Sequence, residues 1–223
     1  LWPVGMGPRE TFLDRWELLS RASPARCIND PAAYLSMHGK SAWLTHAPAT
    51  HITDDPELLA GALNGATATA WVLKPLAGSF GRQVHKISNA SQLRDVMARA
   101  PRQYWVLQEY IAAIRSGETR TLLCADHIIG SYLRVPNDGW HANLAAGARA
   151  LTTTLSDEDS ALVADVRATL NDAGVRFAAI DTVGGYVMEV NIANPGGLAT
   201  LTELYGHGEI EQRMRGAIET LAG

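Results

Sequence analysis

Apolar positions recur at helical spacing in five stretches of the chain. In residues 9–22, Phe12, Trp16 and Leu19 fall on one face, which predicts a helix that ends before Pro24. The same periodicity, together with suitable start and stop residues, predicts four more helices over residues 55–63, 91–100, 156–173 and 208–221.

Short apolar runs of strand length lie between these helices. They cover residues 68–76, 84–88, 103–111, 119–125, 127–135, 177–183 and 186–192. Some neighbouring runs are separated only by a short turn, as at Gly184 and Gly185, which is typical of antiparallel hairpins. We therefore predict an α+β fold with largely antiparallel sheets rather than a doubly wound parallel sheet.

Composition excludes several classes of protein. The 223 residues are 47% apolar and 19% charged, which allows a sizeable core and excludes general disorder. The net charge of -4 argues against a general nucleic-acid binder, and no apolar run is long enough to span a bilayer. Two distant cysteines, Cys27 and Cys124, indicate reduced thiols and a cytoplasmic location. The sequence shows no signal peptide and does not begin with Met, as expected of a trimmed or partial chain.

Three oxygen-bearing side chains form the clearest local signal. Glu189 and Asn191 are two apart in an apolar strand, so both side chains leave the same face. A hairpin loop with an odd number of residues would place Asp181 opposite Glu189, whereas a two-residue loop at Gly184 and Gly185 would separate them. Such a cluster suits Mg²⁺, which prefers oxygen ligands. The alternative is a solvent-facing hairpin edge with unconnected acids.

A second candidate site follows the strand that contains Lys74. Gly78 and Gly81 come next, and glycine lets backbone amides approach a phosphate closely. Lys74 would add a point charge and Arg82 a planar guanidinium. Because the lysine precedes the glycines, the segment is not a Walker A loop. A plain hairpin turn with a surface lysine is the alternative.

Five segments, taken in order, resemble the ATP-grasp superfamily, specifically its bacterial glutathione synthetase branch. They are INDPAAYLSMHGK, VLKPLAGSFGRQV, LQEYIAAIRSGETR, YLRVPNDGWHANLAAGAR and IDTVGGYVMEVNIANPGG. The GSFGR loop is more similar to the superfamily's glutamate ligases that modify a ribosomal protein or an amino-group carrier. The resemblance covers about residues 27–205 and implies an ATP-grasp fold, in which two α+β subdomains with antiparallel sheets hold the nucleotide between them.

The resemblance also implies a role for each matching residue. The nucleotide would be bound by Lys40, Lys74, Gly78, Ser79, Phe80, Gly81, Gln108, Glu109, Tyr110, Ile111 and Glu118, with Glu118 on the ribose. The transferring phosphoryl group and the acceptor would be handled by the catalytic residues Arg120, Arg134 and Asn143. The metal, Mg²⁺ or alternatively Mn²⁺, would be held by Asp181, Glu189 and Asn191.

Members of this family use ATP to join a carboxylic acid to an amine through an acyl phosphate. We therefore expect a ligase for small-molecule acids and amines, such as amino acids or short peptides, without nucleic-acid or membrane partners and with a homo-oligomer as one option. Residues 1–26 would form a helical lead-in and residues 27–223 the ATP-grasp domain, with a lid over about 45–108 and a larger subdomain over about 109–223. The family's N-terminal domain is expected to be missing. The alternative function is thus a nucleotide-binding module, inactive alone, that needs a partner chain for that domain.

The sequence departs from the family pattern near two of these segments. Ahead of NLAAG the family has an acidic residue followed by Arg, and here His141 stands nearest to the Arg position. After the metal strand the family has Ser-Pro-Thr, where this chain has residues 194–196, Asn-Pro-Gly. No general base is obvious. His141 is a candidate because histidine exchanges protons near neutral pH, and packing beside Trp140 is the alternative.

Overall fold

The computed structural model describes residues 9–21, 27–65, 70–78 and 83–222. The helices are α1 (Arg9–Ser20), α2 (Ala33–Ser36), α3 (Pro56–Gly65), α4 (Ala90–Ala98), α5 (Asp157–Asp172), α6 (Leu198–Tyr205) and α7 (His207–Ala222). The strands are β1 (Thr50–Thr53), β2 (Trp71–Pro75), β3 (His85–Ile87), β4 (Trp105–Glu109), β5 (Glu118–Cys124), β6 (His127–Val135), β7 (Arg149–Thr152), β8 (Phe177–Val183) and β9 (Tyr186–Asn191). Three short 3₁₀ segments cover Ser41–His46, Ala112–Arg115 and Leu144–Ala146.

The strands form two antiparallel sheets, which confirms the predicted α+β class. The strand orders are β1-β4-β2-β3 and β7-β6-β5-β8-β9. The five predicted helices correspond to α1, α3, α4, α5 and α7, and all seven predicted strands are present. Strands β6 and β8 have the predicted bounds, β5 is shifted by one residue, and the other four are shorter than predicted. Residues 68 and 69 of the first predicted strand lie outside the described residues. None of the described helices is long and apolar enough to cross a membrane.

Apolar side chains attach helices to one face of the first sheet and to both faces of the second. Helices α3 and α4 pack on the four-stranded sheet through Leu59 and Leu93. Helix α5 packs on one face of the five-stranded sheet through Val166, and α6 and α7 pack on the other through Leu201 and Ile210. Because both of its faces are buried, β8 reads as an almost continuous apolar run.

The hairpin between β8 and β9 corrects one prediction. Gly184 and Gly185, with φ of 55° and 77°, form a two-residue turn whose twist suits a hairpin. Asp181 nevertheless pairs with Glu189, because Met188 is an extra residue that forms a β-bulge. The pairing of the two acids is therefore as predicted, but the expectation of an odd loop is wrong, since the bulge supplies the missing residue.

Asn29 joins the chain before α2 to the five-stranded sheet. Its side chain is 2% exposed, and its Nδ2 donates to the carbonyls of Phe177 and Ile192 over 2.8 and 3.0 Å. Its Oδ1 accepts hydrogen bonds from the amides of Arg176 and Phe177 over 2.8 and 2.7 Å. All donor and acceptor positions of this buried amide are thus used by backbone groups.

We expect Asn29→Ala to lower the free energy of unfolding by about 2–4 kcal/mol, because four backbone groups lose a partner. Urea denaturation followed by circular dichroism measures the change. The matched control is Asn64→Ala on the exposed surface of α3, with an expected change within about 0.5 kcal/mol. Equal effects of the two substitutions would contradict the role given to Asn29.

Candidate functional site

A cavity of about 410 Å³ is lined by residues of both sheets. Every predicted site residue that the structure describes lines it: Lys40, Lys74, Gly78, Gln108, Glu109, Tyr110, Ile111, Glu118, Arg120, Arg134, Asn143, Asp181, Glu189 and Asn191. The predicted residues Ser79, Phe80 and Gly81, and Arg82 beside them, lie outside the described residues. The structure therefore brings together side chains that are far apart in the sequence.

The five-stranded sheet supplies a row of charges to one side of the cavity. Arg120 on β5 lies opposite Asp181 on β8, and Asp181 lies opposite Glu189 on β9. Glu118 on β5 lies opposite Arg134 on β6. Residues opposite each other share a face of the sheet, so strand register alone aligns these five side chains. We call this row the charged floor.

Asp181 is held by both arginines of the charged floor. Arg120 donates from Nε and Nη2 to the two carboxylate oxygens, each over 2.7 Å, and Arg134 Nη2 lies 2.9 Å from Oδ1. Burial alone would raise the pKa of Asp181, but the charges of Arg120 and Arg134 outweigh it and hold the pKa below its usual value. Asp181 is therefore a carboxylate that stays charged although it is 2% exposed.

Glu118 responds differently to the same environment. Its Oε2 accepts a hydrogen bond from Arg134 Nη2 over 2.5 Å. Burial nevertheless raises the pKa of Glu118 to about 7, because it exceeds the opposing effect of the Arg134 charge. Glu118 is thus the acid of the charged floor that titrates near neutral pH.

Lys40 reaches the cavity from the segment after α2. Gly39 forms an isolated bridge with Val190, which brings the next residue over β9. Lys40 Nζ then donates to Glu189 Oε1 over 2.8 Å and to the carbonyl of Gly78 over 3.3 Å. Burial acts to raise the pKa of Glu189, but the positive charge of Lys40 outweighs it. The pKa of Glu189 is therefore below its usual value.

Lys74 reaches the cavity from the other sheet. Along β2, Trp71 and Leu73 are buried against the helices, while Val72 and Lys74 alternate with them and line the cavity. Lys74 Nζ donates to Oε1 of Gln108 over 2.9 Å. Burial, supported by the nearby positive charge of Lys40, lowers the pKa of Lys74 to about 8. The lysine thus gives up its proton far more readily than a solvated one.

An apolar surface completes the cavity. It comes from Val72, Val84, Ile111, Ile114 and the ring of Tyr110, with Lys86 Nζ at 3.8 Å from the ring centroid. Such a surface suits a flat aromatic group beside the charges. Of these residues, Val72, Val84 and Ile114 are not among the predicted ones, and Met188 and His38, which also line the cavity, were missed as well. Met188 could not be predicted from strand alternation, which places it on the opposite side from Glu189. The bulge turns it toward the same side.

The oxygen donors fit a hard cation such as Mg²⁺ in chemical type. Among the described residues, no group of three His, Cys, Asp or Glu side chains could hold a metal ion, so the oxygen donors available here are the carboxylates of Asp181 and Glu189 and the amide of Asn191. Its Nδ2 is buried without a hydrogen-bond partner, which leaves the amide orientation free to serve a ligand. Because Asp181 already accepts two hydrogen bonds from Arg120 and is paired with Arg134, Glu189 and Asn191 have more coordination capacity in this structure than Asp181.

Comparison with known proteins agrees with this geometry. Residues 40–206 match the profile of the family described as prokaryotic glutathione synthetase, ATP-grasp domain. Glutathione synthetase from Rhodopseudomonas palustris is 29% identical over 206 residues, covering 87% of this chain and 64% of the relative. Glutathione synthetase from Gloeobacter violaceus is 33% identical over 140 residues, covering 60% of this chain and 43% of the relative. The chain thus spans less than two thirds of the length of these relatives.

Solved structures share the fold. The ATP-grasp ligase PsnB in complex with a minimal precursor aligns with a TM-score of 0.60 and 22% identity, over 83% of this chain and 62% of that one. D-cycloserine synthetase DcsG aligns with a TM-score of 0.59 and 18% identity, over 92% and 71%. These similarities confirm the predicted ATP-grasp fold. Because the family profile covers well over half of the chain, the protein belongs to the prokaryotic glutathione synthetase ATP-grasp domain family.

Proposed function

We propose that this protein is an ATP-dependent carboxylate–amine ligase that forms an amide bond through an acyl phosphate. The observation that carries the proposal is a single cavity in which two lysines and two arginines adjoin an apolar surface. That combination suits a nucleoside triphosphate, since the apolar surface can hold the base while the cations neutralise the phosphates. Membership of the family supports the same reading.

The nucleotide would lie between the two sheets. Its base would contact Tyr110 and Ile111, and its ribose would approach Glu118, as the family resemblance implies. Lys40 and Lys74 would bind the phosphates as point charges, each exchanging a hydrogen bond to the protein for one to a phosphate oxygen. The four-stranded sheet would then act as the lid, over about residues 45–108, and residues 109–223 as the larger subdomain.

The arginines of the charged floor would stabilise the charge that develops during transfer. Arg120 and Arg134 are already fixed by Asp181, so their charges need no reorganisation when a phosphoryl group moves past them. Mg²⁺ held by Glu189 and Asn191, with Asp181 beside them, would supply Lewis-acid neutralisation of phosphate oxygens. Asn143, whose Oδ1 accepts from the amide of Ala145 over 3.0 Å, would lie beside the acceptor.

The substrates would be a small carboxylic acid and an amine, each an amino acid or a short peptide. The relatives are named glutathione synthetase, and the last peptide bond of glutathione joins γ-glutamylcysteine to glycine. This pair is therefore the first to test. The chain covers 64% of the length of the Rhodopseudomonas palustris enzyme, so the alternative is a nucleotide-binding module that needs a further domain from a partner chain.

We expect the protein to form a hydroxamate when it is incubated with Mg-ATP, hydroxylamine and its acid substrate, because hydroxylamine traps acyl phosphates whatever the natural amine is. The acids to test are γ-glutamylcysteine, glutamate and short peptides, with ADP measured in parallel. Glu189→Gln is expected to lower the hydroxamate rate by about 100-fold or more, since it removes a charged oxygen donor from the site.

The matched control is Glu203→Gln, which changes an exposed carboxylate on α6 outside the cavity and should leave the rate unchanged. Tight binding of Mg-ATP without hydroxamate from any acid would contradict the ligase and favour the nucleotide-binding module. A hydroxamate rate that Glu189→Gln leaves unchanged would contradict the metal site.

Binding of Mg-ATP is expected to take up protons near pH 8. The pKa of Lys74 is lowered to about 8 in the free protein, and a phosphate next to the lysine favours its charged form. At pH 8 about half a proton should therefore be taken up per nucleotide, and from pH 7 to pH 9 the affinity should fall about tenfold. Calorimetric titrations in buffers of different ionisation enthalpy measure the proton uptake.

Lys74→Arg is the control for this prediction. Arginine keeps its charge throughout this range, so the variant should lose the uptake assigned to Lys74 and bind with little dependence on pH between 8 and 9. Any contribution of Glu118 remains in the variant and cancels in the comparison. Identical proton uptake by the two proteins would show that Lys74 does not meet the nucleotide.

A further inference from the structure

The loop of residues 136–143, between β6 and the following 3₁₀ segment, presents a histidine to the cavity. The loop leaves β6 after Val135, one residue beyond Arg134 of the charged floor, and Trp140 and His141 both line the cavity. The start of the loop is tied to the chain beyond the 3₁₀ segment, because Asn137 Nδ2 donates to the carbonyl of Gly147. His141 therefore stands on a braced loop in the same cavity as the arginines.

Asp138 fixes the ring of His141. The Asp138 Oδ1 accepts hydrogen bonds from the amides of His141 and Trp140 over 2.8 and 3.1 Å, and Oδ2 pairs with His141 Nδ1. The ring of Trp140 packs against the imidazole with 3.7 Å between centroids. Among the described residues, Asp138 is the one charged group paired with this ring. The imidazole is thus held on one edge and one face.

This arrangement determines which nitrogen carries the proton. Hydrogen bonds from the His141 amide and ring, and from the Trp140 amide, lower the pKa of Asp138 to about 2. An ionised carboxylate can only accept, so Nδ1 is the donor in this pair. In the neutral ring, Nε2 then carries the lone pair. With Nδ1 turned to Asp138, Nε2 is the nitrogen available to a molecule in the cavity.

We propose that His141 is the general base of the amide-forming step, with Asp138 as its positioning residue. The proposal rests on the ligase function proposed above. An amine substrate is protonated in water and attacks only after it loses a proton. In the proposed step, the amine nitrogen forms a bond to the acyl carbon, the bond from that carbon to the phosphate oxygen breaks, and inorganic phosphate leaves. Nε2 takes one proton from the ammonium group of the amine before the attack and, since the side chain is 28% exposed, passes it to water. The second proton leaves the attacking nitrogen for the departing phosphate, which is released as HPO4²⁻.

The test compares two nucleophiles on the 223-residue chain and its His141→Gln variant. The acid is γ-glutamylcysteine, and the nucleophile is either glycine, which is protonated at neutral pH, or hydroxylamine, which is largely unprotonated. We expect His141→Gln to lower peptide formation with glycine by about 100-fold or more, while hydroxamate formation stays within about threefold. Asp138→Asn should lower peptide formation in the same selective way, because it disturbs the tautomer.

His127→Gln is the matched control, because His127 is an exposed histidine on β6 and does not line the cavity. Circular dichroism and Mg-ATP binding verify that each variant is folded. Equal loss of both products in folded His141→Gln would place His141 in acyl phosphate formation and overturn its role as the base. Retention of both products would overturn it as well. If the unmodified chain forms neither product, the proposed ligase function fails in this assay, and the assignment of the base fails with it.

Discussion

A buried carboxylate, Asp181, constrains both the fold and the site. An unpaired charge at this depth costs several kcal/mol, so Asp181 requires the guanidinium groups of Arg120 and Arg134. These come from two different strands, β5 and β6. A shift of β5 by one residue would turn Arg120 to the opposite face of the sheet and leave the carboxylate without its main partner. The same strand register that pairs the buried Asp181 with its arginines therefore also places these charged groups in the site.

Much of the fold follows from local pattern, and the errors have physical causes. The main helices and the β8–β9 hairpin were predicted because periodicity and glycine positions are local signals. Strands β1 and β7 were missed because each has only four residues and neither contains a buried one. The bulge at Met188 was missed because nothing in the run YVMEVNI distinguishes a bulged residue from a paired one.

The site required more than local pattern. The lysine of the Lys40–Glu189 pair lies 149 residues from its partner, and no periodicity connects such positions. Only the family resemblance made Lys40 a predicted nucleotide-binding residue, and its pairing with Glu189 was not predicted. Asp138 had a local signal, a turn with His141 three residues later, but its importance depends on the ring that it holds inside a cavity built by distant strands. Sequence therefore identifies the chemical types, while long-range pairing decides which of them meet.

The cations of the cavity fall into two groups with different freedom. Arg120 and Arg134 are bound to Asp181, and moving them would expose a buried charge, so they act as a fixed positive field. Lys40 and Lys74 each hold one side-chain acceptor, and the acceptor of Lys74 is the neutral amide of Gln108. A hydrogen bond from Lys74 to a phosphate oxygen would be stronger than the one to that amide, because both groups would then be charged. When a nucleotide binds, the lysines are thus expected to change their hydrogen-bond partners, whereas the arginines are expected to keep theirs.

One boundary of the cavity lies where helices α6 and α7 begin to pack on the five-stranded sheet. The face that carries Arg120 and Asp181 is covered further along by α6 and α7, against Leu201. The chain enters α6 through Gly197, at φ of 131°, where a Cβ would lie 3.0 Å from the Tyr132 hydroxyl, 3.1 Å from its ring and 3.5 Å from Arg120 Cδ. Glycine suits this position because other residues rarely adopt such a φ and because a Cβ would crowd Tyr132. The backbone before α6 therefore lies against Arg120, and both Arg120 and Gly196 line the cavity. There Arg120 Nη1 donates to the carbonyl of Gly196 over 3.4 Å.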